Sequence, residues 1–118
     1  SVLWVDDRPE NQQYERNALK ALGIRFTASL STEEALAKLR RKKYDAIISD
    51  MGRPPDAQAG YTLLQNLPEL NKDTPFMIYS FNGSLPEHRQ EAARRGAYGS
   101  TDQIQELFGM VLEALQQK

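Results

Sequence analysis

The sequence predicts an α/β protein, a three-layer α/β/α sandwich built on a five-stranded parallel sheet. Three observations predict it. Five short apolar or β-branched runs, at residues 2–5, 24–30, 44–49, 75–80 and 97–101, recur along a chain of 118 residues. A segment with helical character follows each run, and strands alternating with helices pair in parallel through right-handed crossovers. No linker, repeat or low-complexity tract divides the chain, so residues 1–118 are expected to form a single domain, long enough to bury a core without staples.

The elements follow in order. Val2 to Val5 is apolar and half β-branched, the pattern of a strand buried on both faces. Asp7-Arg8-Pro9-Glu10 reads as a helix start, with proline and an acid in the first turn, and Gly23 stops that helix after Leu22. Ile24 to Leu30 is a second strand of weaker pattern. Ser31, three residues ahead of Glu34, makes a capping box, and Ala35, Leu36 and Leu39 repeat behind it at helical spacing. Tyr44 to Ser49 is the third strand. The stretch MGRPPDAQAG, residues 51–60, is dense in turn formers and reads as a loop, after which Tyr61, Leu64 and Leu67 sketch a third helix, disturbed near Pro68. Pro75 to Ser80 is the fourth strand, Pro86 to Arg95 a polar helix ended by Gly96, Ala97 to Thr101 a short polar fifth strand, and Ile104 to Leu115 an amphipathic last helix.

Composition removes several function classes. The chain has no cysteine and one histidine, His88, so thiolate zinc sites, histidine-rich metal sites and cysteine nucleophiles are excluded. Fifteen basic against sixteen acidic side chains leave a net charge of −1, which offers no nucleic-acid footprint. The basic run RRKK at 40–43 sits where cations complement a helix C-terminus and is read as solvated. No apolar run approaches the ~20 residues of a membrane span, and no leader opens the chain, so a soluble, cytoplasmic protein is expected. Ser1 standing directly before the apolar run suggests a domain taken from a longer chain. Trp4, Tyr61, Leu64 and Leu67 are expected in the core, and His88 is expected to be exposed.

In open parallel sheets the ligand crevice lies outside the carboxyl ends of the strands. Asp6 and Asp7 end the first strand, Asp50 ends the third and Ser80 ends the fourth. Each has a bland alternative: Asp7 as a helix N-cap, Asp50 as a turn residue, Ser80 as nothing in particular. Together they make a site. Three neighbouring carboxylates repel one another unless a cation shares them, and an all-oxygen donor set suits magnesium. A carboxylate beside such an ion can accept a phosphoryl group as an acyl phosphate.

These residues resemble the receiver domain of bacterial two-component response regulators, across essentially the whole chain. The resemblance rests on VLWVDD with its acidic pair, DAIISD with a strand-end aspartate, Pro54 four residues beyond that aspartate, Gly60 opening the third helix, and PFMIYS ending in a hydroxyl thirty positions after Asp50. It implies the flavodoxin-like strand order 2-1-3-4-5. It also implies that Asp50 is the phosphoacceptor, that Asp6, Asp7, Asp50 and the carbonyl of Gly52 hold magnesium, and that Ser80 turns toward the phosphate. The implied donor is a histidine kinase or phosphotransfer protein. An output domain, a partner protein or a second copy of the chain would meet the face that Gln105, Phe108 and Leu112 border.

Three departures from the family stand in the same sequence. Receivers carry a lysine at the end of the fifth strand, but no lysine or arginine lies between Arg95 and Lys118, and the expected position falls near Asp102 or Gln103. Ser100 stands about where the family has an aromatic that reports the switch. The loop between Asp50 and Gly60 is a residue or more longer than usual, and Phe81 replaces a small residue beside the phosphate entrance, where it is expected to narrow the pocket. Arg53 and Arg8 border the site and are candidates for the missing charge, although the default reading of each is a solvated loop arginine. The leading functional expectation is a signalling module rather than an enzyme. The alternatives are a binding module of receiver fold that works without phosphate, and a magnesium-dependent phosphotransferase or hydrolase, for which no dedicated general acid or base is found.

Overall fold

The computed structural model describes residues 1–117. Its strands are β1 (Val2–Val5), β2 (Phe26–Ser29), β3 (Ala46–Ser49), β4 (Phe76–Tyr79) and β5 (Gly99–Thr101), and its helices are α1 (Gln13–Ala21), α2 (Thr32–Arg41), α3 (Ala59–Gln65), α4 (Pro86–Arg94) and α5 (Ile104–Gln116). All pairings are parallel and the order is β2-β1-β3-β4-β5, as expected from the sequence.

Alternation along the strands builds two cores, one on each face. Leu3 and Val5 of β1 join Ile47, Phe76 and Ile78 under α2, α3 and α4, which contribute Leu39, Leu63 and Ala92. Val2 and Trp4 point the other way, joining Ile48 and Met77 against Leu19 of α1 and Leu107, Val111 and Ala114 of α5. All four residues of β1 and all four of β3 are buried, which is what a central strand covered on both sides requires. Each large side chain so removed from water stabilises the fold by roughly 1.5–3 kcal/mol. On the α1 side, the buried Arg16 guanidinium lies 4.8 Å from the Trp4 ring centroid and 5.4 Å from that of Phe26.

Local chemistry sets the element ends. Ser31 Oγ accepts from the Glu34 N–H at 3.1 Å, and Glu34 Oε1 reaches back to the Leu30 N–H, also at 3.1 Å. Gly23 closes α1 at φ +79°. Two expectations are corrected. The first helix does not start at Pro9, because Pro9–Gln12 is a 3-10 turn and the α-helix begins at Gln13. The third helix ends at Gln65, since Pro68 forces extended backbone before it; Leu67 packs on the core from the following segment. That segment carries Asn71, fully buried, whose Nδ2 donates to the carbonyls of Leu39 and Lys42 at 2.7 Å and whose Oδ1 accepts from the Tyr44 N–H at 2.8 Å. Asn71 thereby joins the end of α2 to the start of β3.

Candidate functional site

The register decides which residues meet. Val5 of β1 stands opposite Ser49 of β3, so Asp6 and Asp50 are the first residues past the ends of neighbouring strands. The ladder carries them one residue further, with the Asp6 N–H donating to Ser29 O at 2.9 Å and the Asp50 N–H to Val5 O at 3.1 Å. One carboxylate oxygen from each of Asp6, Asp7 and Asp50 lies within 4.8 Å of the others. Asp6 is buried and held from two sides, accepting from the Arg8 N–H at 2.7 Å and from Gln12 Nε2 at 2.6 Å. Asp7 is exposed and does not cap the helix that follows it. Ser80 and Gly52 line the same cleft, of about 720 Å³, together with Arg8, Tyr79 and Ser100. All five residues expected to form the site are therefore brought together.

Gly60 lets α3 start against the end of β3. A Cβ there would lie 2.5 Å from the Asp50 carbonyl oxygen, and the Gly60 N–H donates to Met51 O at 2.7 Å. Only a residue without a side chain allows this approach.

Arg53 corrects the expectation of a solvated loop arginine. It is 5% exposed, and its Nη1 donates to Asp50 Oδ1 in a close ion pair and to Ser49 Oγ at 3.2 Å. Its Nη2 donates to Thr32 Oγ1 at 2.6 Å and to the Ala59 carbonyl at 3.5 Å. A tight turn returns the chain to this position, with the Arg53 N–H donating to Asp56 O and the Asp56 N–H to Arg53 O at 2.9 and 2.7 Å. Arg8 is exposed, as expected of a loop arginine. Burial nevertheless pushes the Asp50 carboxyl up to about 6; Arg53 opposes the rise, and Asp6 and Asp7 add to it. Desolvation thus outweighs the single arginine.

The strand-five side of the cleft is neutral or acidic. Asp102, which with Gln103 stands near the position expected for a lysine, accepts from Ser84 Oγ at 2.8 Å and from Gln103 Nε2 at 2.7 Å, and these donors hold its carboxyl below the usual range. Ser100 Oγ donates to the Gly83 carbonyl at 2.9 Å. Phe81 lines the cleft at its rim, with 88% of its own surface exposed. Tyr79, behind Ser80, donates to Glu15 Oε2 at 3.2 Å; burial first, then Glu15, raises its phenol to about 12. His88 is exposed, as expected.

Sequence reasoning missed Gln12, Ser49 and Thr32, which hold the acidic residues and Arg53 in place. Gln12 carries a faint signal as a polar residue in the first turns after the acidic pair. Thr32 carries none, because its meeting with Arg53 depends on how the start of the second helix comes to lie beside the loop after the third strand.

A family model described as the response regulator receiver domain matches residues 2–102. Among solved structures, the receiver domain of the Francisella response regulator 1452 is 26% identical with a TM-score of 0.82, over 98% of this chain and 96% of that one. The chemotaxis response regulator CheY4 of Vibrio cholerae is 28% identical with a TM-score of 0.74, over 98% and 95%. The sensor protein EvgS of Escherichia coli is 28% identical over 90 residues, which is 76% of this chain but only 7% of EvgS, so the chain spans a small part of that relative. A family match running from the first residue of β1 to just past the last of β5, with solved receiver domains superposing over nearly the whole chain, leaves one assignment: the chain belongs to the response regulator receiver domains of two-component signalling.

Proposed function

We propose that this receiver accepts a phosphoryl group from a phosphohistidine donor onto Asp50 and thereby changes its affinity for a partner protein. The observation that carries the reading is the convergence of the Asp6, Asp7 and Asp50 carboxylates within 4.8 Å at the carboxyl ends of adjacent strands. Receiver domains are signalling modules rather than typical enzymes, and the chain's own chemistry is confined to accepting and releasing one group.

The residues fit a magnesium ion. Three carboxylates in so small a volume need positive charge, every available donor is oxygen, and the upward push of Asp6 and Asp7 on Asp50 is the repulsion that a cation would cancel. Asp6, Asp7, Asp50 and the Gly52 carbonyl would hold it. When bound, it supplies neutralisation of the transferring phosphoryl oxygens. An oxygen of the Asp50 carboxylate attacks phosphorus. The P–N bond to the donor imidazole breaks, its electron pair leaves on nitrogen, and that nitrogen takes a proton from water. Ser80, facing the same cleft, donates its hydroxyl to the new phosphoryl group. Hydrolysis reverses the change: water attacks phosphorus, the P–O bond to Asp50 breaks, and carboxylate and inorganic phosphate result.

The donor would be a histidine kinase or phosphotransfer protein, and the similarity to part of a sensor protein supports a place within or beside such a kinase. Among the described residues no helix is long and apolar enough to cross a membrane. We place the domain in the cytoplasm, where such donors deliver phosphate. Incubation with magnesium and acetyl phosphate is expected to add one phosphoryl mass that is absent in Asp50→Asn. Magnesium binding without any adduct would favour the phosphate-independent binding module, a reading to which the lack of any lysine or arginine between Arg95 and Lys118 lends weight.

A further inference from the structure

We propose that Arg53 takes the place of the missing strand-five lysine as the partner of the Asp50 carboxylate, and that it relays the state of that carboxylate to the start of α2 through Thr32. The phosphoryl-linked part of this inference rests on the reading of Asp50 given above.

The geometry is that of a fork. Nη1 is committed to Asp50 Oδ1 and Ser49 Oγ, while Nη2 is committed to Thr32 Oγ1 and the Ala59 carbonyl. One planar guanidinium therefore joins the end of β3, the first residue of α2 and the first residue of α3. A guanidinium is rigid, so its two nitrogens move together. Phosphorylation turns the charged carboxylate into a mixed anhydride, an acyl phosphate, and moves the negative charge onto the phosphoryl oxygens. Arg53 then either follows that charge or loses a charge-assisted bond. In both cases the Nη2 contact with Thr32 changes, because it sits on the same plane.

The opposite side of the cleft is fastened. Ser84 Oγ bonds Asp102, Ser100 Oγ bonds Gly83 O, and Arg89 Nε bonds Ser84 O at 2.9 Å, tying the loop after β4 to β5 and to α4. None of these contacts brings a cation to Asp50. The response of this receiver is therefore directed to the α2–α3 face, away from β5.

The test follows backbone amide shifts of residues 32–35 and 100–102 in the whole chain, first on Asp50→Asn and then on addition of acetyl phosphate with magnesium. The amides at 32–35 are expected to shift more than those at 100–102 in both experiments. Arg53→Lys keeps the charge but loses the fork: adduct formation is expected to lie between that of the parent and that of Arg53→Ala, while the shift at 32–35 disappears. Thr32→Val is expected to abolish the same shift while slowing adduct formation less than Arg53→Ala does. Arg53→Ala is expected to slow adduct formation about tenfold or more, and rescue by lysine separates this charge effect from a packing defect. If the parent forms no adduct but Asp50→Asn still moves residues 32–35 through Thr32, the phosphoacceptor reading fails and the relay stands. Amides at 32–35 that ignore Asp50→Asn, or that respond equally in Arg53→Lys and Thr32→Val, overturn the relay.

Discussion

Ser84 and Asp102 grip each other twice: Ser84 Oγ donates to Asp102 Oδ1 at 2.8 Å, and the Asp102 N–H donates back to Ser84 Oγ at 3.2 Å. The pair closes the loop after β4 onto the end of β5, with Thr101 Oγ1 a further 3.2 Å partner of the same hydroxyl. Replacing Ser84 by Ala removes all of these at once. The expected cost is on the order of 1 kcal/mol in urea denaturation. Hydrogen exchange at residues 81–85 is expected to quicken more than elsewhere, and an unchanged exchange rate there would show that the loop is held by other contacts.

Asp50 sets a pH dependence whose sign can be worked out. Its folded-state carboxyl titrates at about 6, above the 3.8 of a free aspartate, so between those values the folded chain binds more protons than the unfolded one. Stability from this group is therefore present at low pH and lost as pH rises from about 4 through 6. At pH 7.5 without metal, Asp50→Asn is expected to be more stable than the parent by on the order of 1 kcal/mol after allowance for solvent screening, about 3–6 °C in Tm. Magnesium is expected to raise the Tm of the parent and leave that of the Asn variant nearly unchanged. The gain for the parent is expected to shrink below pH 6, where protons compete for the same oxygen. Thermal melts at pH 5.5 and 7.5 with and without magnesium check all three expectations.

Gly60→Ala is expected to destabilise by about 1–3 kcal/mol, because the new Cβ meets the Asp50 carbonyl oxygen at 2.5 Å and neither backbone can yield freely. The same displacement reaches the metal-binding carboxylates. Weaker magnesium binding by titration calorimetry is the accompanying signature, and a variant that melts early but binds magnesium as the parent does would confine the effect to α3.

Asn71→Ala leaves the Tyr44 N–H and the carbonyls of Leu39 and Lys42 without their partner, and Thr74 Oγ1 loses its 2.9 Å acceptor. Several buried groups left unsatisfied make this a severe substitution, with an expected loss of about 3 kcal/mol or more. Asn71 lies at the opposite end of the strands from the acidic cleft, so magnesium affinity of the folded fraction is expected to stay as in the parent.

The five strands and their parallel alternation could be read from apolar periodicity, and Asp6, Asp7, Asp50 and Ser80 from their strand-end positions, whereas Gly52 entered only through the family resemblance. The strand order came from family resemblance and not from pattern. Arg53 could not be read: between Gly52 and Pro54 it looks like any exposed turn arginine, and its burial depends on Thr32 and Ala59 arriving from other elements. The 3-10 turn at Pro9–Gln12 carries the Gln12 that holds Asp6, a long-range demand that no local propensity encodes.

The spacing of Asp50 and Arg53 has a consequence for how such a domain can be recombined. Acid and counter-ion sit three positions apart, so one short cassette carries both, whereas a receiver with its lysine on the fifth strand must keep two distant segments in step. If Arg53 does stand in for that lysine, a chimera receiving residues 49–60 from this chain would inherit acid and counter-ion together, needing a hydroxyl at the host's matching position for Thr32, and the host's own fifth strand would be free to diverge.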